Sequence, residues 1–453
     1  VREQDGRFVQ TVKSGGGNRD GDAALIRGEW EDEVAGASPD PAAPHTGRFV
    51  PSGAADRLEA LVRTDIVRQT LMLHPDCRTC IEAAVDRGVV AAVRRDASEP
   101  VCEIELELKH GDIAALYDLA LDMIAVAPLR VERRSKSARG FRLASPLAAP
   151  DPVAAVHAGE VDLDPGMTAR AALRRIAASC VEQIVRNEDA VHAGIPEGVH
   201  QMRVGIRRLR AALSAFAPLL PEGEHRWFSG ELRWLGGVLG AARNLDVFAE
   251  DLVAPAVSTI GTVPGLAALN AVLAERRALA YEKATGAILS PRHTALVLRL
   301  TRWLEDRGSE NPSSPALARP IGEVAPEVLE RRMKAVRRRA AGFSRQSPEQ
   351  RHRLRIALKK LRYAVEMLGR LYDHEKTDRL LRAAKRLQEK LGEANDLSMA
   401  HDLVAELAGS GTEAAAIAEA GDAVIDWHAR RLHPDGDKTA KQVSKIRDSI
   451  PFW

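Results

Sequence analysis

His200-Gln201-Met202-Arg203-Val204-Gly205-Ile206-Arg207-Arg208-Leu209-Arg210 is followed later in the chain by a near copy, His352-Arg353-Leu354-Arg355-Ile356-Ala357-Leu358-Lys359-Lys360-Leu361-Arg362. On an α-helix, residues three and four apart share a face. His200, Arg203, Arg207 and Arg210 therefore form one polar stripe, while Met202, Ile206, Leu209, Leu213 and Phe216 form an apolar stripe on another side. The copy reproduces both, with His352, Arg355, Lys359 and Arg362 against Leu354, Leu358, Leu361, Val365 and Leu368. The separation from position 200 to position 352 is 152 residues, and Leu239-Gly240 to Leu245 and Leu391-Gly392 to Leu397 keep it without a gap. Two motifs holding one offset imply a duplicated helical unit with pseudo-two-fold symmetry.

A basic helix face is ordinarily just a solvated one. These two lack the acids that an ordinary surface helix mixes in to gain pairs one turn apart. No Asp or Glu occurs from His200 to Phe216, or from Arg351 to Val365. Further cations lie on neighbouring predicted helices, at Arg226, Arg233, Arg243, Arg331, Lys334, Arg338, Arg382, Lys385 and Lys390. Unpartnered like charges cost stability unless an anion offsets them, so the stripes read as an anion-binding surface. Single-strand nucleic-acid binders interleave aromatics for base stacking. This chain is 4% aromatic, with none on the stripes, which disfavours nucleic acid and favours a polyanion without bases. Arg forks clamp such phosphate oxygens in pairs.

The two His-x-x-Arg-x-x-x-(Arg/Lys)-(Arg/Lys)-Leu-Arg helices, with Leu239-Gly240-Ala241-Ala242-Arg243-Asn244-Leu245-Asp246-Val247, resemble the CHAD domain. Asn244 stands where that family usually has Asp. The resemblance implies two pseudo-symmetric helical bundles over about 167–437, with repeats at about 167–306 and 320–437 and a tail at 438–453. It also implies inorganic polyphosphate as partner, held by His200, Arg203, Arg207, Arg208, Arg210, His352, Arg355, Lys359, Lys360 and Arg362.

The 453 residues are enough for more than one domain, and charge separates two parts. Residues 1–160 hold 20 Lys and Arg against 26 Asp and Glu, and the remainder 45 against 37. The first part reads as strands at 7–13, 25–31, 79–87, 89–95 and 101–109, with a Pro/Ala/Gly loop at 35–55 and a helix from Asp112 to about Ala125. Residues 145–166 carry four prolines and read as a linker, placed at 146–166. Alternation puts Glu103, Glu105 and Glu107 on one strand face, and Arg27, Glu29 and Glu31 on another.

Arg27-Gly28-Glu29-Trp30-Glu31, Cys102 to Lys109 and Ser135-Lys136-Ser137-Ala138-Arg139-Gly140 resemble the CYTH family of triphosphate tunnel enzymes over about 1–145. That implies an α+β multidomain chain, an antiparallel β tunnel followed by the all-α bundle. It further implies Glu29, Glu31, Glu105 and Glu107 as ligands for Mg²⁺ or Mn²⁺, and Arg2, Lys13, Arg27, Lys109 and Lys136 as ligands for triphosphate. The activity implied is a divalent-metal-dependent inorganic triphosphatase, and the alternative is a polyphosphate-binding adaptor without catalysis. The family's opening Glu-x-Glu-x-Lys strand has no counterpart before Arg2, so the tunnel is expected to lack its first strands.

No apolar run approaches the roughly 18 residues that span a bilayer. The segment Val1-Arg2-Glu3-Gln4-Asp5 has no apolar signal core, so the expected address is cytoplasmic, with the polyphosphate reading adding granules. Cys77 and Cys80 form a lone CxxC and read as ordinary reduced thiols.

Overall fold

The computed structural model describes residues 1–13, 28–50, 53, 57–145, 153–261, 263–305, 315–410, 412–431 and 436–453, with 393–396 and 436–437 described by backbone only. It divides into two compact units, one of Val1–Pro152 with Thr301–Asp306 and one of Val153–Leu300 with Arg307–Trp453. An antiparallel β region followed by an all-helical region is the fold class expected.

In the first unit, β1 (Arg2–Gln4), β2 (Arg7–Lys13) and β3 (Glu29–Val34) form one antiparallel sheet in that order. A second sheet has the order β4 (Val62–Leu73), β5 (Cys80–Ala92), β6 (Ser98–His110). The expected tunnel is therefore, among the described residues, two open three-stranded sheets with no ladder joining them. Strand β4 has no counterpart in the sequence reading. Its apolar residues fall in adjacent runs, Ile66-Val67 and Leu71-Met72-Leu73, and most of it is exposed on both faces, so it carries no period-two signal. The runs 79–87 and 89–95 are largely one strand, β5. Gly88 lies inside it because the Asp65 carbonyl passes there, and a Cβ would sit 1.9 Å from that oxygen. The predicted segment 25–27 lies outside the described residues. Helix α1 (Ile113–Val126) starts at an Asp112 cap that accepts from Ala114 N–H, and α2 (Lys136–Ala144) packs on β4 and β5.

The second unit contains α3 (Ala169–Val185), α4 (Glu188–His192), α5 (Pro196–Phe216), α6 (Glu222–Val247), α7 (Ala254–Ile260), α8 (Leu266–Ile288), α9 (Pro291–Glu305, to Leu300 in this unit), α10 (Ile321–Ala340), α11 (Pro348–Leu368), α12 (His374–Ala408), α13 (Ala414–Arg431) and α14 (Gly436–Arg447). The residue pairs that open α3 and α10, α5 and α11, and α6 and α12 each lie 152 positions apart. The duplication is also visible in the backbone. Ala169 N–H donates to Arg319 C=O, and Ile321 N–H donates to Met167 C=O, both at 2.8 Å. A shift of 152 residues exchanges these bonds, so the pseudo-two-fold axis runs through the Thr168–Pro320 bridge.

Helices α5 and α11 pack on each other, α5 also on α3 and α6, and α11 on α10 and α12. Both apolar stripes are buried as predicted: Met202, Ile206, Leu209, Leu213 and Phe216 on α5, and Leu354, Leu358, Leu361, Val365 and Leu368 on α11. Each such side chain contributes about 1.5–3 kcal/mol on leaving water. That burial fixes the opposite faces of both helices. The repeats diverge after Val247, where a π-helical turn (Phe248–Val253) and Pro255 interrupt the path that α12 continues unbroken. No helix among the described residues is long and apolar enough to cross a membrane.

Candidate anion-binding site

The first stripe lies over α5 and α6. Arg203 is half-buried and donates from Nη1 to the Gly236 carbonyl at 3.0 Å, lying across Gly240. A Cβ at Gly240 would stand 2.4 Å from that nitrogen, so a side chain there would push the guanidinium aside. In the second repeat Arg355 Nη1 reaches the Gly392 carbonyl at 3.4 Å. In both repeats, then, the motif arginine is anchored on the following long helix. Burial lowers the Arg203 guanidinium to about 10, aided by the charges of Arg207 and Arg243. Burial also lowers the His200 imidazole, with Arg243, Arg207 and Arg203 adding to it and Glu197 opposing. These groups form a field of like charge that an anion would relieve.

Arg207 and Arg210 are exposed. Burial of the guanidinium and the charge of Arg233 lower Arg210. Arg208 is directed differently. It donates to Gln183 Oε1 at 2.9 Å, and Gln183 bonds Gln201, which bonds Glu197. On α11, His352 and Lys360 are exposed while Arg355, Lys359 and Arg362 are half-buried. Lys360 is lowered by burial and by the charges of Arg332, Arg339 and Arg210. Arg362 Nε lies 3.4 Å from Glu366, the first acid beyond the acid-free stretch.

The sequence names Arg331, Lys334 and Arg338 on α10, but Arg332 and Arg339 are the α10 residues whose charges act on Lys360. Their seven-residue spacing on one helix face was the signal available. Arg331 donates to the Ala215 carbonyl and Arg332 to Ser214 Oγ, both at 3.0 Å. Asp246 belongs to the 239–247 segment, where residue order alone assigns it no role. It is fully buried on α6 and accepts from Arg277 at 2.8 and 3.1 Å and from Tyr281 Oη at 2.8 Å, tying α6 to α8. Arg277 also reaches Glu250 at 3.3 Å, and Glu250 lies 4.0 Å from Arg243 of the cationic field.

In the β unit the residues named for metal and triphosphate are paired among themselves. Arg2 meets Glu31 at 3.4 Å, Lys13 meets Glu29 at 2.9 Å, and Lys109 meets Glu107 at 2.9 Å and Glu82 at 3.1 Å. Arg27 lies outside the described residues. Among the described residues one group of carboxylates converges, Asp86, Glu103 and Glu105, with ligand atoms within 4.8 Å of one another. Of the four proposed metal ligands it includes Glu105 alone. Its centre is held by the Lys136 ammonium, 2.7 Å from Asp86, 2.6 Å from Glu105 and bonded to Glu103, while Arg68 closes on Asp86 and Glu105 at 2.6 Å. Burial pulls Lys136 down, but the three carboxylates outweigh it and push the ammonium up to about 12. Asp86 is lowered: its burial acts upward, and bonds to Arg68 and Lys136 prevail. Three carboxylate oxygens are the hard donors a divalent ion takes, and here the Lys136 ammonium stands where they converge.

The CHAD domain family model matches residues 175–405. The crystal structure of the CHAD domain from the plant Ricinus communis is 32% identical, with a TM-score of 0.56, over 66% of this chain and 98% of that one. Two uncharacterized proteins of Mycobacterium tuberculosis, from strains CDC 1551 / Oshkosh and ATCC 25618 / H37Rv, are each 28% identical over 334 residues, 70% of this chain. The match spans 60% of the length of these curated relatives.

Proposed function

The chain belongs to the CHAD domain family, and on that premise we propose that its helical unit is a receptor for inorganic polyphosphate. The observation that carries the proposal is the pair of acid-free cationic stripes on α5 and α11, two helices that pack on each other about a pseudo-two-fold axis. The residues proposed to hold phosphate are His200, Arg203, Arg207, Arg210, His352, Arg355, Lys359, Lys360 and Arg362. Arg208 contributes charge while its guanidinium is engaged by Gln183. The test is competition between polyphosphate and a single-stranded oligonucleotide at equal salt, because both respond to ionic strength. Polyphosphate is expected to displace the oligonucleotide; the reverse order would replace this reading with a nucleic-acid one. A receptor of this kind would sit on polyphosphate granules, which imaging of a tagged chain can check.

His200 makes the binding pH-dependent. Its imidazole is lowered in the free protein, so it is mostly neutral at pH 7. A polyanion favours the imidazolium, so binding takes up a proton and affinity rises as pH falls toward the lowered value of the free protein. Folding has the opposite sign. The unfolded chain binds that proton more readily, so stability falls as pH drops below about 6.5 toward the folded value. Dissociation constants at about pH 5.5 and about pH 7.5 check this, and His200→Gln is expected to flatten the His200 component.

The CYTH resemblance adds triphosphate and a metal-dependent hydrolase as a further reading of the β unit. Among the described residues the two three-stranded sheets share no ladder that would close a tunnel, which favours the adaptor without catalysis. No phosphate release from triphosphate above the blank is expected with Mg²⁺ or Mn²⁺. A metal-dependent rate removed by Glu105→Gln would establish the hydrolase instead.

A further inference from the structure

The two halves of the cationic surface are not electrically equal, although the backbone relates them by 152 residues. Ser214 and Glu366 occupy equivalent positions, as do Arg210 and Arg362, Arg233 and Lys385, and Arg208 and Lys360. Around Ser214 the charges come from four helices. Arg210 stands one turn before Ser214 on α5 and feels the charge of Arg233 of α6, and Lys360 of α11 feels those of Arg210 and of Arg332 and Arg339 of α10. Arg332 donates to Ser214 Oγ at 3.0 Å, yet its Nε is buried with no acceptor among the described residues. No carboxylate opposes the lowering of Arg210, Lys360 or Arg332, for which burial is the first cause and neighbouring cations the second. Around Glu366 the charges of Arg362, Arg208, Arg207 and Lys385 oppose the burial that raises its carboxyl, and the nearest, Arg362 Nε, lies at 3.4 Å. The positions equivalent to Arg332 and Arg339 are Cys180 and Asn187, both neutral, and the Cys180 thiol feels the charge of Arg208.

We propose that the polyphosphate path has one strong phosphate seat, formed by Arg210, Arg233, Lys360, Arg332 and Arg339 around Ser214, and one weak seat in which Glu366 holds the place of a phosphate. The proposal rests on the polyphosphate reading and says where along the surface the anion is held. Five cations without an acid face a phosphate at the strong seat, against four cations and one acid at the weak one. A phosphate chain therefore anchors at the seam between α5 and α6 of the first repeat and α10 and α11 of the second. Glu366 sets a lower affinity at the related seam.

The experiment measures binding of inorganic polyphosphate to the full chain and to Ser214→Glu, Glu366→Ser and Arg233→Glu, at several salt concentrations, with circular dichroism on each variant. Ser214→Glu gives the strong seat its own carboxylate and is expected to weaken binding about tenfold and to lower the salt slope by about one. Arg233→Glu, at an exposed position, is expected to weaken binding similarly and stands in if Ser214→Glu disturbs the helix contact. Glu366→Ser is expected to tighten binding about tenfold. Wild-type binding with all three folded variants within twofold of it would overturn the two-seat assignment and leave the polyphosphate reading standing. Absence of wild-type binding would overturn both.

Discussion

An Arg207→Glu, Arg210→Glu variant is expected to lose polyphosphate affinity by about a thousandfold while its helicity and thermal midpoint stay at or above those of the wild type. The change amounts to four charge units on one exposed stripe of α5. At about 1 kcal/mol per unit in water-like surroundings, the sum of roughly 4 kcal/mol gives that factor. Stability does not suffer because both side chains are exposed and Arg210 is already pressed by Arg233. Removing mutually repelling cations relaxes the free protein, the converse of the stability a binding surface commonly gives up. The measurement is a binding isotherm beside a thermal melt. An affinity within tenfold of wild type would remove the α5 stripe from the site. Arg203 is a poorer choice for the same test. Its guanidinium is half-buried against Gly240 and bonded to the Gly236 carbonyl, so a glutamate there would face an acceptor with no donor.

Asp246→Ala is expected to cost about 2–3 kcal/mol of folding stability in the helical unit. The carboxylate is fully buried, and both oxygens are used, Oδ1 by Arg277 and Oδ2 by Tyr281. Truncation leaves the Arg277 guanidinium with Glu250 alone and the Tyr281 phenol without its acceptor, while α6 and α8 lose their polar tie. Asp246→Asn keeps the shape but not the charge and is expected to cost less. Urea unfolding of both variants checks the order, and a loss below about 1 kcal/mol for the alanine variant would show that the tie is dispensable. Polyphosphate affinity should fall as well, since Arg277 and Glu250 link this tie to Arg243.

Much of the helical unit is legible in the chain because its signals are local. Helical periodicity separates Met202, Ile206, Leu209, Leu213 and Phe216 from Arg203, Arg207 and Arg210, and those apolar residues are buried in the structure. The 152-residue offset read from two motifs reappears at the starts of three helix pairs. The β region is less legible. Gly88 reads as a strand end but lies mid-strand against Asp65, because a glycine marks close approach as readily as a turn. Strand β4 is invisible to alternation because neither of its faces is well buried. The resemblance marks Glu105 and Glu107 as metal ligands, but residue order along one strand says nothing of the cations that reach them, Lys136 of α2 for Glu105 and Lys109 for Glu107.

The amino-acid sequence by itself determined the duplication, the helical class of its larger part, the direction of each amphipathic face and the absence of acids from the two stripes. Each follows from residue order within one or two turns of helix. Tertiary structure alone decided which cations meet. Arg332 and Arg339 join Arg210 and Lys360 because α10 and α5 both pack on α11, and Glu366 divides the two halves because α11 brings it among Arg207, Arg208 and Lys385. Coulomb interactions act through space and depend on distance and surroundings, so the charges along a chain do not reveal the field they make until packing has set which helices are neighbours.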